Sequence, residues 1–128
     1  MDKKELNNIP VLDDGSVYIY VLLNSAHSIK IGKTTNLPKR IQSLSGSNGA
    51  GHTIDEIWVS EPTYLHNIEK IAHEHFSYAR MSGEWFDGTK VTFDCVVEYV
   101  DGLFKSKDYE RCNELRRKII EEKKDCKN

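Results

Sequence analysis

Residues 17–40 read VYIYVLLNSAHSIKIGKTTNLPKR. Val17, Ile19 and Val21 alternate with Tyr18, Tyr20 and Leu22, and Ile29 and Ile31 flank Lys30, the period-2 pattern of two strands. That alternation lets Tyr20 and Lys30 share one sheet face. Asn24, Ser25, His27 and Ser28 carry turn chemistry between the strands, and Gly32 is expected to end the second strand where the backbone turns sharply. Pro38 suits the first turn of a helix that follows the capping candidates Thr35 and Asn36. Leu37, Ile41 and Leu44 repeat at helical spacing and give that helix a buried seam, with Arg40 at its edge aimed back toward the hairpin.

On the N-terminal side, Met1 to Ser16 shows no sustained period and ends in Asp13-Asp14-Gly15-Ser16, a turn or linker signal. A mobile arm is expected, docked through Ile9, Val11 and Leu12. On the other side, Ser45 to His52 (SGSNGAGH) reads as a flexible loop; without a P-loop pattern or a Lys, a phosphate cradle is the minor alternative. Ile54 to Ser60 gives a third strand, with Ile57 and Val59 alternating around Trp58. A helix is expected from about Thr63 to Arg80, and another from Val91 to Phe104 whose broad apolar face covers the sheet. The fold class is therefore α/β (α+β): a small, three-stranded, mainly antiparallel sheet flanked by helices. The organisation is an arm over 1–15, a folded domain over 16–104 and a charged C-terminal helix within 105–128. In that last segment Arg111, Arg116, Arg117 and Lys118 are partly offset by Glu114, Glu121 and Glu122, the pattern of a solvated face.

Glu69 is out of place. Leu65, Ile68, Ala72 and Phe76 form an apolar stripe at helical spacing, and Glu69 falls within it. A carboxylate on an apolar face needs a cationic or metal partner, or else holds a proton. A salt bridge to a core-edge Lys or Arg answers the same need as a metal ion. His73 lies four residues on and borders the same pocket, either in an active-site role or as an edge-of-core hydrogen bond; His66 and His75 fall to either side as surface residues. Trp85 and Phe86, in MSGEWFDG, are a brief extended pair suited to core packing, with base stacking as the alternative.

The chain has 128 residues, one domain by length, and no membrane-spanning apolar run. Cys95, Cys112 and Cys126 are an odd set without paired spacing, as expected of reduced thiols in a cytoplasmic compartment. The net charge is -2, unhelpful to nucleic-acid binding as a whole-chain figure. Charge is segregated, however. Lys30, Lys33, Lys39 and Arg40 occupy one stretch without an acid and make a local basic face.

At these residues the chain resembles the GIY-YIG nuclease superfamily. Ile19-Tyr20 stands at the end of the first triplet and Lys30-Ile31-Gly32 at the second, and the interval from Lys30 to Arg40 matches that to the family's helix arginine. Tyr18 replaces the first triplet's Gly and Lys30 the second triplet's Tyr, a Lys form similar to a branch found in phage, large DNA virus and bacterial proteins and some restriction enzymes. Gly83-Glu84-Trp85-Phe86 resembles the same branch. The likeness spans roughly Ser16 to Phe86. It implies a metal-dependent DNA endonuclease with Tyr20 as general base or water-positioner, Arg40 as the clamp on phosphate oxygens, and Glu69 as ligand to one Mg or Mn ion. Lys30 beside Tyr20 is expected to lower the phenol's pKa. Lys33, Lys39 and Arg40 are the expected DNA contacts, and His73, in its active-site reading, is the catalytic candidate that orients water or phosphate. Cutting both strands needs two active sites or two nicks, so a homodimer is compatible with this reading. The competing reading keeps the scaffold as a DNA-binding or regulatory module with little catalysis.

Overall fold

The computed structural model describes residues 3–46 and 53–125. Most of the expected glycine-rich loop, and Cys126, lie outside them. The elements in order are α1 (Lys3–Asn7), β1 (Tyr18–Asn24), β2 (Ser28–Thr34), α2 (Leu37–Gly46), β3 (Ile54–Val59), α3 (Ile68–His75), a 3₁₀ turn (Ser77–Ala79), β4 (Arg80–Ser82), β5 (Trp85–Asp87), α4 (Phe93–Phe104) and α5 (Lys107–Asp125). The strands form one antiparallel sheet in the order β3-β1-β2-β5-β4. It has five strands where the sequence suggested three. The added hairpin, β4 and β5, turns through Gly83 at a positive φ of 56°, and each of its strands has three residues, too few to carry a readable alternation.

The two sheet faces make two cores. Val17, Ile19, Val21, Ile29, Ile31 and Phe86 pack under α3 and α4, through Ile68, Ala72, Val96 and Val100. Tyr18, Tyr20 and Leu22 face the other way, toward Leu37, Ile41 and Leu44 of α2. The N-terminal arm closes this second core with Leu6, Ile9 and Leu12, and Tyr18 donates its hydroxyl hydrogen to the Pro10 carbonyl at 2.7 Å. Its short helix α1 was not visible as a period, and Val11 stays 60% exposed rather than docking. The tight first hairpin follows from Asn24, whose side-chain oxygen accepts from the backbone N–H groups of Ala26 and Ser28. Asn36 caps α2, accepting from the Lys39 N–H, with Pro38 in the first turn.

Gly32 does not end β2. It lies inside the strand, directly opposite Tyr20, and a Cβ there would collide with the Tyr20 phenol. The glycine is needed for close approach of a ring, not for a turn. The helix expected from Thr63 to Arg80 is also shorter. Thr63 is buried, pairs with Val17 through reciprocal 2.9 Å backbone hydrogen bonds, and donates its hydroxyl hydrogen to Asn113 of α5, which leaves helix to begin only at Ile68. Arg80 already belongs to β4. Asn113 also accepts from the Tyr64 N–H, so α5 is tied to the body by a polar anchor, while Cys112, Leu115 and Ile119 on its apolar side are exposed. α4 starts two residues later than expected, at Phe93, because Thr92 caps it by accepting from the Cys95 N–H.

Gly32→Ala is expected to destabilise the fold by about 1–3 kcal/mol, the usual cost of overpacking. Urea unfolding of Gly32→Ala in the wild-type and Tyr20→Ala backgrounds checks the cause: the cost shrinks when the ring is gone, and an undiminished cost would assign it to strand propensity instead.

Candidate active site at the open edge of β2

β5 pairs with β2 only from Ser28 to Lys30, and a last backbone bond runs from the Ile31 N–H to the Glu84 carbonyl at 3.3 Å. Past that point no strand among the described residues continues along this side of β2. Its next carbonyl, of Ile31, accepts instead from His73 Nε2 of α3 at 2.8 Å. A carbonyl only accepts, so Nε2 carries a hydrogen and the tautomer is set by the backbone. The ring of His73 is braced edge-on against Phe86, centroids 5.1 Å apart.

Around this edge the titratable groups gather from four elements. Tyr20 reaches it from β1 across Gly32, Lys30 from β2 on the same face, and Glu69 and His73 from α3 on the opposite face. Glu84 comes from the β4–β5 turn, and its carboxylate pairs with Lys30 Nζ at 3.2 Å. The same ammonium sits 5.1 Å from the centre of the Trp85 ring. Arg40 is exposed on α2, yet its charge acts on the Tyr20 phenol, as do those of Glu84 and Glu69. Lys33 leaves β2 on the face opposite Lys30, and both cations act on Glu69. The site thus wraps around a strand edge and belongs to neither sheet face alone.

The electrostatics follow from burial. The Glu69 side chain is 15% exposed, and desolvation, then the charge of Glu84 and a carboxyl–carboxyl hydrogen bond with it, push its pKa up to about 7 against the opposing pull of Lys33 and Lys30. Glu84 moves the other way: desolvation raises it, but the Lys30 hydrogen bond and charge outweigh that and hold it low. One proton therefore resides on Glu69 and is shared toward Glu84 near neutrality. Tyr20 departs from expectation. It is 1% exposed, and desolvation raises its pKa despite Arg40, so the phenol stays protonated at neutral pH. Lys30 does not lower it, because its ammonium is committed to Glu84.

Sequence reasoning missed Glu84. The residue sits in a Gly-Glu-Trp-Phe stretch that resemblance had marked, but its carboxylate meets Lys30 and Glu69 only when the second hairpin is laid beside β2. His73 occupies the edge-of-core hydrogen bond that was one of its two readings, with Nε2 3.9 Å from Glu69 Oε1. Lys39 and Arg40 line a polar depression of about 280 Å³ with Thr34, Asn36 and Ser43; Lys33 is exposed and stands apart from that depression. His66 and His75 are exposed, His75 stacked on Tyr99 at 3.8 Å. Among the described residues no three His, Cys, Asp or Glu side chains converge as a closed metal shell. The donors at the edge are two carboxyl groups forced together, a set that fits a hard divalent ion completed by water and phosphate oxygens and does not fit a tetrahedral zinc site.

A five-stranded antiparallel sheet with a mixed acid–base cluster beside β2 defines a small α+β domain. Residues 15–106 match the T5orf172 domain, and the chain belongs to that family, one associated with nuclease-like proteins of phages and bacteria. No curated protein and no solved structure matches the chain. No helix among the described residues is long and apolar enough to cross a membrane.

With a chelator present, folding stability is expected to fall as pH rises from about 4.5 to 7. A carboxyl whose folded pKa lies above its unfolded value favours the folded state below that window and loses the advantage on passing through it. Chemical denaturation across this range in wild type and Glu69→Gln tests the assignment, and an unchanged slope in the variant would reassign the proton.

Proposed function

We propose that this protein is a metal-dependent endonuclease that hydrolyses DNA phosphodiester bonds through a GIY-YIG-type site at the open edge of β2. The observation that supports the reading is that Tyr20, Lys30 and Glu69, spread over 50 residues of sequence, gather at one strand edge, with Arg40 on the neighbouring helix near enough for its charge to act on the Tyr20 phenol. Hydrolysis needs an aligned water, cationic support for charge growing on the phosphate oxygens, and a means of holding the phosphate still. Arg40 supplies the clamp, since its planar fork matches two phosphate oxygens, and exposure on α2 lets DNA reach it. Lys39 beside Arg40 extends the basic face along the backbone of the nucleic acid, and Lys33 adds positive charge on the Glu69 side of the strand edge.

Glu69, with Glu84 beside it, would hold one Mg or Mn ion, which when bound supplies Lewis-acid stabilisation of the phosphoryl oxygens. Ion loading at this pair requires that the shared proton leave Glu69, and Lys30 and Lys33 ease that loss by stabilising the ionised carboxyl. Tyr20 acts as a neutral phenol that orients water by hydrogen bonding; a phenolate base is disfavoured by its burial. Lys30 has two tasks: it keeps Glu84 ionised, and it adds positive charge beside the phosphate. His73 holds the edge of β2 through Ile31 and so sets the distance between α3 and the strand.

A second reading has specific support. The buried, neutral phenol and the commitment of Lys30 to Glu84 are what a DNA-binding module with little catalysis would tolerate. Salt-sensitive DNA binding without strand scission across divalent metals would favour it.

Purified protein is expected to nick or cut DNA with Mg or Mn, and Arg40→Ala and Glu69→Ala each to reduce the rate by about 100-fold or more without loss of fold. Glu84→Gln is expected to raise the metal concentration needed for half-maximal cleavage by about 10–100-fold. Agarose-gel cleavage assays with metal titration, paired with thermal melting of each variant, make the check. Undiminished cleavage by both alanine variants would refute the site.

A further inference from the structure

On the α2 side of the sheet, next to the proposed site, lies a cavity of about 320 Å³. Its floor is the sheet itself: Leu22 of β1, Ser28 and Lys30 of β2, and Trp85 of β5, which the strand register sets side by side. Leu44 of α2 and Ile54 of β3 wall one side, Met81 and Ser82 of β4 the other. Asn24 lies at the hairpin end, its side chain held by the two backbone N–H groups it accepts from. Lys30 belongs to both places. It lines the cavity, stands over Trp85, and pairs with Glu84 at the strand edge.

The volume falls at the bottom of the range of about 300–1,000 Å³ for small-molecule sites, enough for one flat ring system and little more. The lining is equally selective: an aromatic ring and aliphatic side chains for a flat apolar body, with hydroxyl and amide groups of Ser28, Ser82 and Asn24 for its polar rim. Of the two aromatics in Gly-Glu-Trp-Phe, Phe86 is fully buried in the opposite core, while Trp85 is partly exposed on this face. Phe86 is thus spent on packing, whereas Trp85, packed in part against the α2-side core and under the Lys30 ammonium, still lines the cavity. Met81, 50% exposed at the rim, is a flexible apolar side chain able to close over a ring.

We propose that this cavity receives one unpaired nucleobase of the strand being cut, making the substrate class DNA with an unstacked nucleotide beside the scissile phosphate. The proposal rests on the endonuclease reading for the phosphate's position at the edge of β2. Lys30 then bridges the two parts of one nucleotide, with the phosphate at the strand edge beside its ammonium and the base in the cavity against Trp85. A base within a continuous duplex is stacked and paired and must be extruded before it can enter, whereas a mismatch, bulge, flap or single strand presents it already free. Stacking on an aromatic ring tolerates any base, so the preference is for structure rather than sequence.

The test uses full-length Glu69→Gln protein, to suppress cleavage, and duplex oligonucleotides carrying 2-aminopurine either fully paired or in a single-nucleotide bulge. Binding is expected to be about fivefold or more tighter to the bulged duplex, with quenching of 2-aminopurine emission on binding. Both effects are expected to disappear with Trp85→Ala. Because that change removes a partly buried ring, Ala26→Trp, which obstructs the cavity from an exposed position at the hairpin tip, serves as the second variant. Equal affinity for the two duplexes, unquenched emission, or a bulge preference that survives Ala26→Trp would overturn the proposal. Cleavage by wild type is measured separately: equal rates on both duplexes overturn the base pocket and leave the endonuclease reading standing. A bulge preference without cleavage in any metal supports the pocket and removes the endonuclease reading.

Discussion

The ladder between β2 and β5 ends at Lys30 and Trp85, with one last backbone bond from Ile31 to Glu84, and the rest of the candidate site exists because it stops there. A fully paired strand has no free carbonyls along its length and no room for side chains between neighbours. The short β5 leaves the Ile31 carbonyl to His73 and leaves space for Glu69 and Glu84 beside the strand. An exposed edge invites pairing with other chains unless it is covered or charged. Here it is both, by α3 and by lysines that leave β2 on opposite faces.

The charge balance at that edge is poised rather than neutralised. Two carboxyls in contact cannot both ionise without support, and the nearest ammonium has chosen Glu84. Glu69 therefore keeps its proton into the neutral range. Tyr20 is governed by the same rule with the opposite outcome: full burial suppresses its ionisation more than Arg40 promotes it. Position in a low-dielectric fold, and not residue type, divides the roles.

α5 shows how a charged helix can be structural. Its polar attachment runs through Asn113, which satisfies both Thr63 and the Tyr64 N–H, beside the packing of Tyr109 on the core, and Arg117 is taken up by Glu114 and Glu121 within the helix. The Thr63 bridge to Val17 extends the β1–β3 edge at the same point, so the helix secures the end of the sheet away from β5. Of its basic cluster, Arg117 is already committed to acids on its own helix.

What the residues alone determined was local: the alternation around Tyr20 and Lys30, the Asn24 turn, the capped start of α2, the apolar face of α4, and the anomaly of an acid at position 69 within an apolar stripe. Those signals arise from periods of two and 3.6 and from turn chemistry, all of which act within a few residues. Only the tertiary structure decided that Gly32 is a seat for the Tyr20 ring, that β4 and β5 widen the sheet, that Thr63 pairs with a strand instead of beginning a helix, and that Glu84 joins Glu69 and Lys30. Each of these depends on residues distant in sequence meeting across a strand edge, and three-residue strands or a single glycine carry no period from which such a meeting could be read.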